Sequence, residues 1–330
     1  MQKRPCGRPW LSRDQSEMIQ LKSVQDYAGR LWHASWVQRW ALPLLIFLVA
    51  FLPRADHPVS RPYLWAERAY RFGNAILAGD LAATNQSSHP GVTLMWLSGL
   101  GIEAFERLQG EIPYDQFFSL APSRPGLLSE ATQAGVLPLA LVIGLGIALV
   151  YPLLSQLAGR AIALVAAIFL ALDPYHLTYS KAIHVDALLA VFMMLSALFL
   201  LVYLKARRRP NLAFSGLFAG LALLTKSPST FLLPYAALMV TLAVLTETHR
   251  KRLTDEALRW SDAIWRVIRI LLAWLGLAVL AFVLLYPAMW VEPLTVLERI
   301  VSEIVLHAGA PHDNPVYFLG RVWYEDPGLL

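Results

Sequence analysis

In the stretch YSKAIHVDALL, a lysine, a histidine and an aspartate (Lys181, His184 and Asp186) stand within six residues of one another, where an apolar run begins. An ionisable side chain so close to hydrocarbon is costly, and its usual justification is a partner or a water-filled site. Lys181 and Asp186 therefore read either as an interfacial ion pair, with Asp186 capping the helix that starts there, or as part of a polar site. Lys226 follows GLALLT at the end of another apolar run, and Pro228 stops that helix from continuing. A lysine so placed serves either to hold a phosphate or to snorkel to the headgroups. Two carboxylates, Asp56 and Glu67, are candidates for proton transfer; the other reading makes both of them solvated loop charges. His89 opens a His89-Pro90-Gly91 turn and so faces polar space. A lone histidine with no spacing signature is a weak metal ligand, so no metal site is assigned, although a divalent cation stays open as a cofactor. His307, His312, Asp313 and Asn314 form one more polar cluster, which reads as a hydrated loop, a cap over a cavity or a metal site.

The elements that must position these groups are set by composition. Hydrophobic residues make up 57% of the 330 and charged ones only 15%, with a mean hydropathy of +0.49, beyond what a soluble domain carries. The chain reads as an integral membrane protein. Its net charge of +5 comes from residues beside apolar segments rather than along one polar face, which points to membrane lipids and not to nucleic acid. The single cysteine, Cys6, leaves no intrachain disulfide and no paired-thiol chemistry. No GxGxxG, P-loop or metalloprotease motif appears, and internal repeats are absent.

Seven apolar blocks predict seven membrane spans: Trp40–Pro53, Gly135–Leu154, Ala161–Leu172, Val185–Leu204, Leu212–Leu224, Phe231–Leu245 and Ile270–Met289. Several are short for the purpose. Lysine and arginine orient them: Lys22, Arg30 and Arg39 precede the first span, Lys205 and Arg207 to Arg209 close the fourth, and a third group from Arg250 to Arg269 separates the sixth from the seventh. All three groups belong in the cytoplasm. The expected organisation is a cytoplasmic tail (1–39), a first span (40–53), a long extracytoplasmic loop (54–132), six further spans (133–289) and an outer segment (290–330). Within the long loop Trp65, Ala69, Phe72 and Ile76 recur at helical spacing, with Glu67, Arg68, Arg71 and Asn74 opposite. That amphipathic helix is expected in the outer interface with its aromatic edge among the headgroups; the alternative is a packed surface helix. Ala78-Gly79-Asp80 ends it, and Asp80 is read as serving its C-terminal turn.

The segments GDLAATNQSSHPGVTLMW, DPYHLTYSKAIHVDALLAVFMMLSAL and GLFAGLALLTKSPSTFLLPYAAL, together with the long first outer loop, resemble the GT-C glycosyltransferases over roughly Trp40 to Leu330. The nearest branch holds the protein O-mannosyltransferases, aminoarabinose transferases and RgtA/B/C/D-like proteins. The resemblance implies a polyprenyl-phosphate-linked sugar donor, a lipid, glycan or protein acceptor, inverting transfer at the extracytoplasmic face, and a multi-pass protein of the cell (inner or plasma) membrane. It also implies an acid four residues before the juxtamembrane aromatic. Here that aromatic is Trp65, and Arg61 occupies the expected position, a departure that leaves Asp56 or Glu67 as the catalytic carboxylate. Lys181 and Asp186 match a basic residue ahead of an aspartate in the family, and Lys226 matches a lysine near the carrier's phosphate; His89 and His184 join them as substrate-binding candidates. Members usually carry further spans, so the reading frame is expected to be C-terminally truncated. The expected fold is an all-α polytopic membrane protein, a GT-C-like bundle of about seven transmembrane helices with interfacial helices in its first outer loop. A catalytically inactive carrier-binding or transport protein is the alternative, motivated by Arg61.

Overall fold

The structure, a computed structural model, describes residues 35–56, 63–109, 125–252, 260–308, 316–318 and 321–323. Arg61, Cys6, His312, Asp313 and Asn314 lie outside the described residues, as does the side chain of His307. The helices are α1 (Leu42–Ala55), entered through a π-helical turn at Val37–Ala41, then α2 (Tyr63–Ala78), α3 (Val92–Gln109), α4 (Pro125–Ala158), α5 (Arg160–Leu172), α6 (Pro174–Ser180) and α7 (Val185–Ala206). They continue with α8 (Arg209–Thr225), α9 (Leu232–Arg252), α10 (Trp260–Leu285), α11 (Ala288–Val291) and α12 (Pro293–Ala308). A short antiparallel pair, Val316–Phe318 with Arg321–Trp323, is the only sheet among the described residues.

Five segments are long and apolar enough to cross a membrane: Val37–Ala55, Glu130–Ala158, Val185–Ala206, Ser227–Lys251 and Trp260–Leu285. The pair α5 and α6, bent by 53° at Asp173, makes a sixth if it counts as one span. The seven-block count differs because the block Leu212–Leu224 lies in α8, a 17-residue helix whose glycines, serine and first-turn polar residues dilute its apolar character. The first span, short as read from Trp40, gains length from the π turn upstream.

α1 shows how a helix sits here. Ile46, Ala50 and Arg54 are buried on one face while Leu44, Leu45, Leu48 and Leu52 are exposed on the other, the arrangement of a helix with hydrocarbon on its outside. α4 fills the centre, its Ile143 and Ile147 fully buried, and packs against α1, α3, α5 and α7. α8 joins α7 through a reciprocal pair in which the Ser196 hydroxyl donates to the Ser215 carbonyl and the Ser215 hydroxyl to that of Ser196. Small residues let α8 meet α10 closely: a Cβ on Gly220 would lie 2.5 Å from the Ala278 carbonyl oxygen.

The helices α7 to α10 run up and down, and side-chain contacts fix which termini share an end. Arg207, at the close of α7, bonds Glu247 on α9 at 2.6 Å, and Glu247 also meets Arg266 on α10 at 3.1 Å. At the opposite end, Asp186 opens α7 beside Lys226, which closes α8. The last turn of α1 lies at that second end too, since Arg54 reaches the Ala171 carbonyl and Asp56 meets Lys181. The described members of the basic groups read from the sequence thus gather at one end and the candidate site at the other.

The amphipathic stripe of α2 is used differently from the expectation. Ala69 and Phe72 are fully buried, and Phe72 meets Trp96 of α3 edge-on at 5.0 Å. The stripe packs on α3 instead of turning into the headgroups, because α3, itself apolar, lies alongside and offers a protein surface.

Candidate active site

His184 sits in extended backbone at the N-cap of α7, and its Nδ1 accepts from the Asp186 N–H at 3.4 Å. An N-cap acceptor satisfies a donor that the first helical turn leaves open. The carboxylate of Asp186 then faces Lys226, whose Nζ donates to Oδ1 at 2.8 Å. Lys226 is brought there because α8 ends at Thr225 and the chain turns into the 3₁₀ segment Ser227–Phe231. Burial pulls the His184 imidazole below the ordinary histidine value; Asp186 opposes that shift and Lys226 reinforces it.

Lys181, largely buried, lies 3.8 Å from the exposed carboxylate of Asp56. The ion pair that the sequence suggested between Lys181 and Asp186 is thus replaced by two others, Asp56 with Lys181 and Asp186 with Lys226. Asp186 opens α7 and turns toward the end of α8, whereas Lys181, at the close of α6, is directed back to α1. Asp56 with Lys181, and His184 and Asp186 with Lys226, therefore form two groups at the same end of the bundle, drawn from four elements. Glu67 is set apart from them: its carboxylate pairs with Arg71 one turn along α2, and Arg68 covers the Trp65 ring at 4.7 Å. Asp80 serves the C-terminal turn of α2 as read from the sequence, its backbone N–H donating to the Ala75 carbonyl at 2.9 Å. Gly79, in left-handed conformation at φ 74, closes α2, and the Asp80 carboxylate caps the next turn by accepting from the Ala83 N–H at 3.1 Å.

The His89-Pro90-Gly91 turn is stitched to the same end. The Gly91 N–H donates to the Thr225 carbonyl at 3.1 Å, next to Lys226, and the hydroxyls of Thr93 and Thr225 meet at 2.6 Å. Gly91 has φ 59 and lies against Trp65, whose ring would be 2.1 Å from an added Cβ, so both backbone conformation and space require glycine. His89 is half-buried with Nε2 3.8 Å from a Glu303 carboxylate oxygen on α12. The loop before it is held by Tyr286, which donates to Asn85 Oδ1 at 2.9 Å, and by Arg299, which donates to the Asn85 carbonyl at 2.7 Å. Burial pushes the Tyr286 hydroxyl up to about 12, so it remains a donor.

Sequence reasoning missed Arg54 and His176. Arg54 is fully buried at the end of α1, donating to the carbonyls of Ala50 at 2.7 Å and Ala171 at 2.9 Å, and to His176 Nδ1 at 3.0 Å. A guanidinium can only donate, so His176 accepts at Nδ1 and carries its proton on Nε2, which faces the Ala187 carbonyl at 3.3 Å. The pair ties α1, α5, α6 and α7 together behind Asp56 and Asp186. The available signal was an arginine directly after the first apolar block, a place where a charge next to hydrocarbon asks for a partner. No group of three or more His, Cys, Asp or Glu side chains able to hold a metal ion occurs among the described residues. An apolar groove of about 340 Å³ runs between α2 and α3, lined by Phe72, Ile76, Met95, Trp96 and Leu100.

A helical bundle with several membrane-crossing helices and paired ionisable groups at one end defines a polytopic membrane protein with a polar site at the edge of the hydrocarbon. The sequence profile of the dolichyl-phosphate-mannose-protein mannosyltransferase family matches residues 126–291, just over half of the chain, and the chain belongs to that family of membrane glycosyltransferases. No curated protein matches it in sequence.

Proposed function

We propose that the protein transfers a sugar from a polyprenyl-phosphate carrier to a lipid, glycan or protein hydroxyl, at the extracytoplasmic face of the cell membrane, with inversion at the anomeric carbon. Asp56 is the base: it takes the proton of the acceptor hydroxyl, whose oxygen attacks the anomeric carbon. The bond from that carbon to the phosphate oxygen breaks with its electron pair, and the carrier phosphate leaves. Lys181 and Lys226 neutralise the charge that grows on it. Asp186 is the resting partner of Lys226, which the phosphate displaces, His184 caps the helix that carries Asp186, and His89 presents its imidazole to the donor from the turn stitched to Thr225. The groove between α2 and α3 offers a bed for prenyl units.

The observation that carries this reading is the approach of Asp56 to Lys181 at 3.8 Å, which supports a carboxylate and a cation beside one another at the end of the first span. Family membership supports the carrier-linked donor. Glu67, held by Arg71, is a solvated helix charge in this reading. The test is a reconstituted transfer assay with Asp56→Asn and Glu67→Gln. Asp56→Asn should lower turnover by about 10²–10⁴-fold while leaving donor binding intact, the scale of a lost general base. Full activity in Asp56→Asn, or a loss confined to Glu67→Gln, overturns the assignment.

A further inference from the structure

At the opposite end of the bundle a cleft of about 600 Å³ opens between α7 and α9. Its walls are Leu201, Leu204, Met239, Leu242 and Ala243, and its mouth carries Lys205, Arg207 and Arg250. Leu242 is half-exposed, and α7 and α9 both lie in segments able to cross a membrane. An acyl chain therefore reaches these walls without leaving hydrocarbon. Among the described residues the charge at the mouth is unbalanced. Glu247, the acid that lines the cleft, is already shared among Arg207 at 2.6 Å, Arg266 at 3.1 Å and Lys251 at 3.6 Å. Among the described residues Lys205 bonds the Gln156 carbonyl, at 2.5 Å.

Arg207 adds a second observation. It closes α7 at φ 55, and no other described non-glycine residue has a positive φ. Glycine would adopt that conformation without strain, so a guanidinium is held there at a conformational cost. Its Nη2 serves Glu247, whereas Nη1 is buried with no acceptor among the described residues. Surplus cations, an orphan donor and an apolar slot between spans fit one ligand chemistry, a phosphodiester joined to acyl chains.

We propose that this cleft is a binding site for an anionic glycerophospholipid, with its phosphodiester at Lys205, Arg207 and Arg250 and one acyl chain along Leu204 and Leu242. Basic pockets between membrane helices bind anionic headgroups in this way. The site lies at the far end from Asp56 and Lys226 and is independent of the transfer chemistry.

The test uses the full chain, purified in detergent and stripped of lipid, with dioctanoyl phosphatidylglycerol, dioctanoyl phosphatidylcholine and inorganic phosphate as probes. Phosphatidylglycerol should bind at least about tenfold more tightly than phosphatidylcholine, and inorganic phosphate should not displace it. The double variant Lys205→Gln/Arg250→Gln should lose roughly tenfold to thirtyfold for phosphatidylglycerol, the worth of two interfacial cations. Ala243→Phe, which fills the slot and keeps every charge, should weaken both lipids. Melting curves identify the folded variants, and if the charge variant does not fold, Ala243→Phe carries the test. Equal affinity for the two lipids, displacement by inorganic phosphate, or unchanged lipid binding in the folded variants overturns the site. Sugar-donor binding measured on the same samples should stay at the wild-type level, so this proposal and the transferase reading fail separately.

Discussion

Lys226 is bound to Asp186 at 2.8 Å, and that contact allows a phosphate-binding lysine to be separated from an architectural one. If Lys226 meets the carrier phosphate, Lys226→Met removes a charge-assisted contact of about 1.5–3 kcal/mol, and donor affinity falls roughly tenfold to a hundredfold. Asp186→Asn releases the lysine instead, so donor binding should hold or tighten. Equal losses of donor affinity in both variants, measured by lipid titration alongside melting temperature, would make the pair a clasp between α7 and α8 and nothing more. His184 supplies a second expectation. Burial lowers its proton affinity in the folded state below the ordinary 6.5, so the unfolded chain binds the proton more readily. The stability this contributes is complete above that value and is lost as pH falls through it toward the folded value. Protonation also removes the Nδ1 lone pair that caps α7. Thermal melts from pH 7.5 down to pH 5 should therefore show a decline that His184→Asn flattens, because asparagine keeps a cap acceptor without titrating. A variant that declines as steeply as the wild type rules His184 out as the group responsible. At this scale the residue types were legible from the sequence, since Asp56, Lys181, His184, Asp186 and Lys226 were all named from it. Their pairing was not. Spacing along the chain puts Lys181 beside Asp186, and only the packing of α1 against α6 and of α7 against α8 redirects each to another partner.

The turn at His89-Pro90-Gly91 shows what an element contributes beyond its residues. It joins three others: its backbone donates to the end of α8, its glycine lies against Trp65 of α2, and its histidine faces α12. Gly91→Ala should cost about 1–2 kcal/mol for a left-handed backbone and ~1–3 kcal/mol for overpacking on Trp65. Gly91→Ala/Trp65→Val separates the two, since the smaller side chain relieves the clash and leaves the backbone cost. Melting temperatures of the single and double variants check this; a double variant no more stable than Gly91→Ala alone would mean that the ring does not fix the turn. α2 and α3 make a related point about legibility. The helical spacing of Trp65, Ala69, Phe72 and Ile76 correctly marks an apolar face, but an apolar face carries no address. Headgroups and a neighbouring helix satisfy it equally in sequence, and the proximity of α3 decides. Arg54 was illegible for a different reason: a lone arginine near the end of a span reads as an interfacial anchor until the Ala171 carbonyl and His176 are seen to receive it.

Across the whole molecule, charge and geometry were read independently and meet in one arrangement. The hydropathy of the sequence located the spans, although the last block, Ile270–Met289, starts well inside Trp260–Leu285; α8 gives the weakest signal because its close packing against α7 and α10 is achieved with serine and glycine, which lower the very hydropathy used to find spans. The alternation of the basic groups predicted that the ends of α7, α9 and α10 that bear Arg207, Glu247 and Arg266 lie together, and the contacts at 2.6 and 3.1 Å join them. The positive-inside rule predicts which end faces the cytoplasm, and that expectation is open to direct measurement. Asn74 on α2 and Arg208 after α7 are both exposed and belong to opposite ends. In a Cys6→Ser background, Asn74→Cys should react in intact cells with a membrane-impermeant maleimide, and Arg208→Cys should react only after the membrane is permeabilised. Neither substitution removes a packed side chain, so the labelling reports position and not damage. The reversed pattern would place Asp56, Lys181 and Lys226 on the cytoplasmic side, where the proposed extracytoplasmic transfer could not occur, and would move the cationic cleft between α7 and α9 to the outer leaflet.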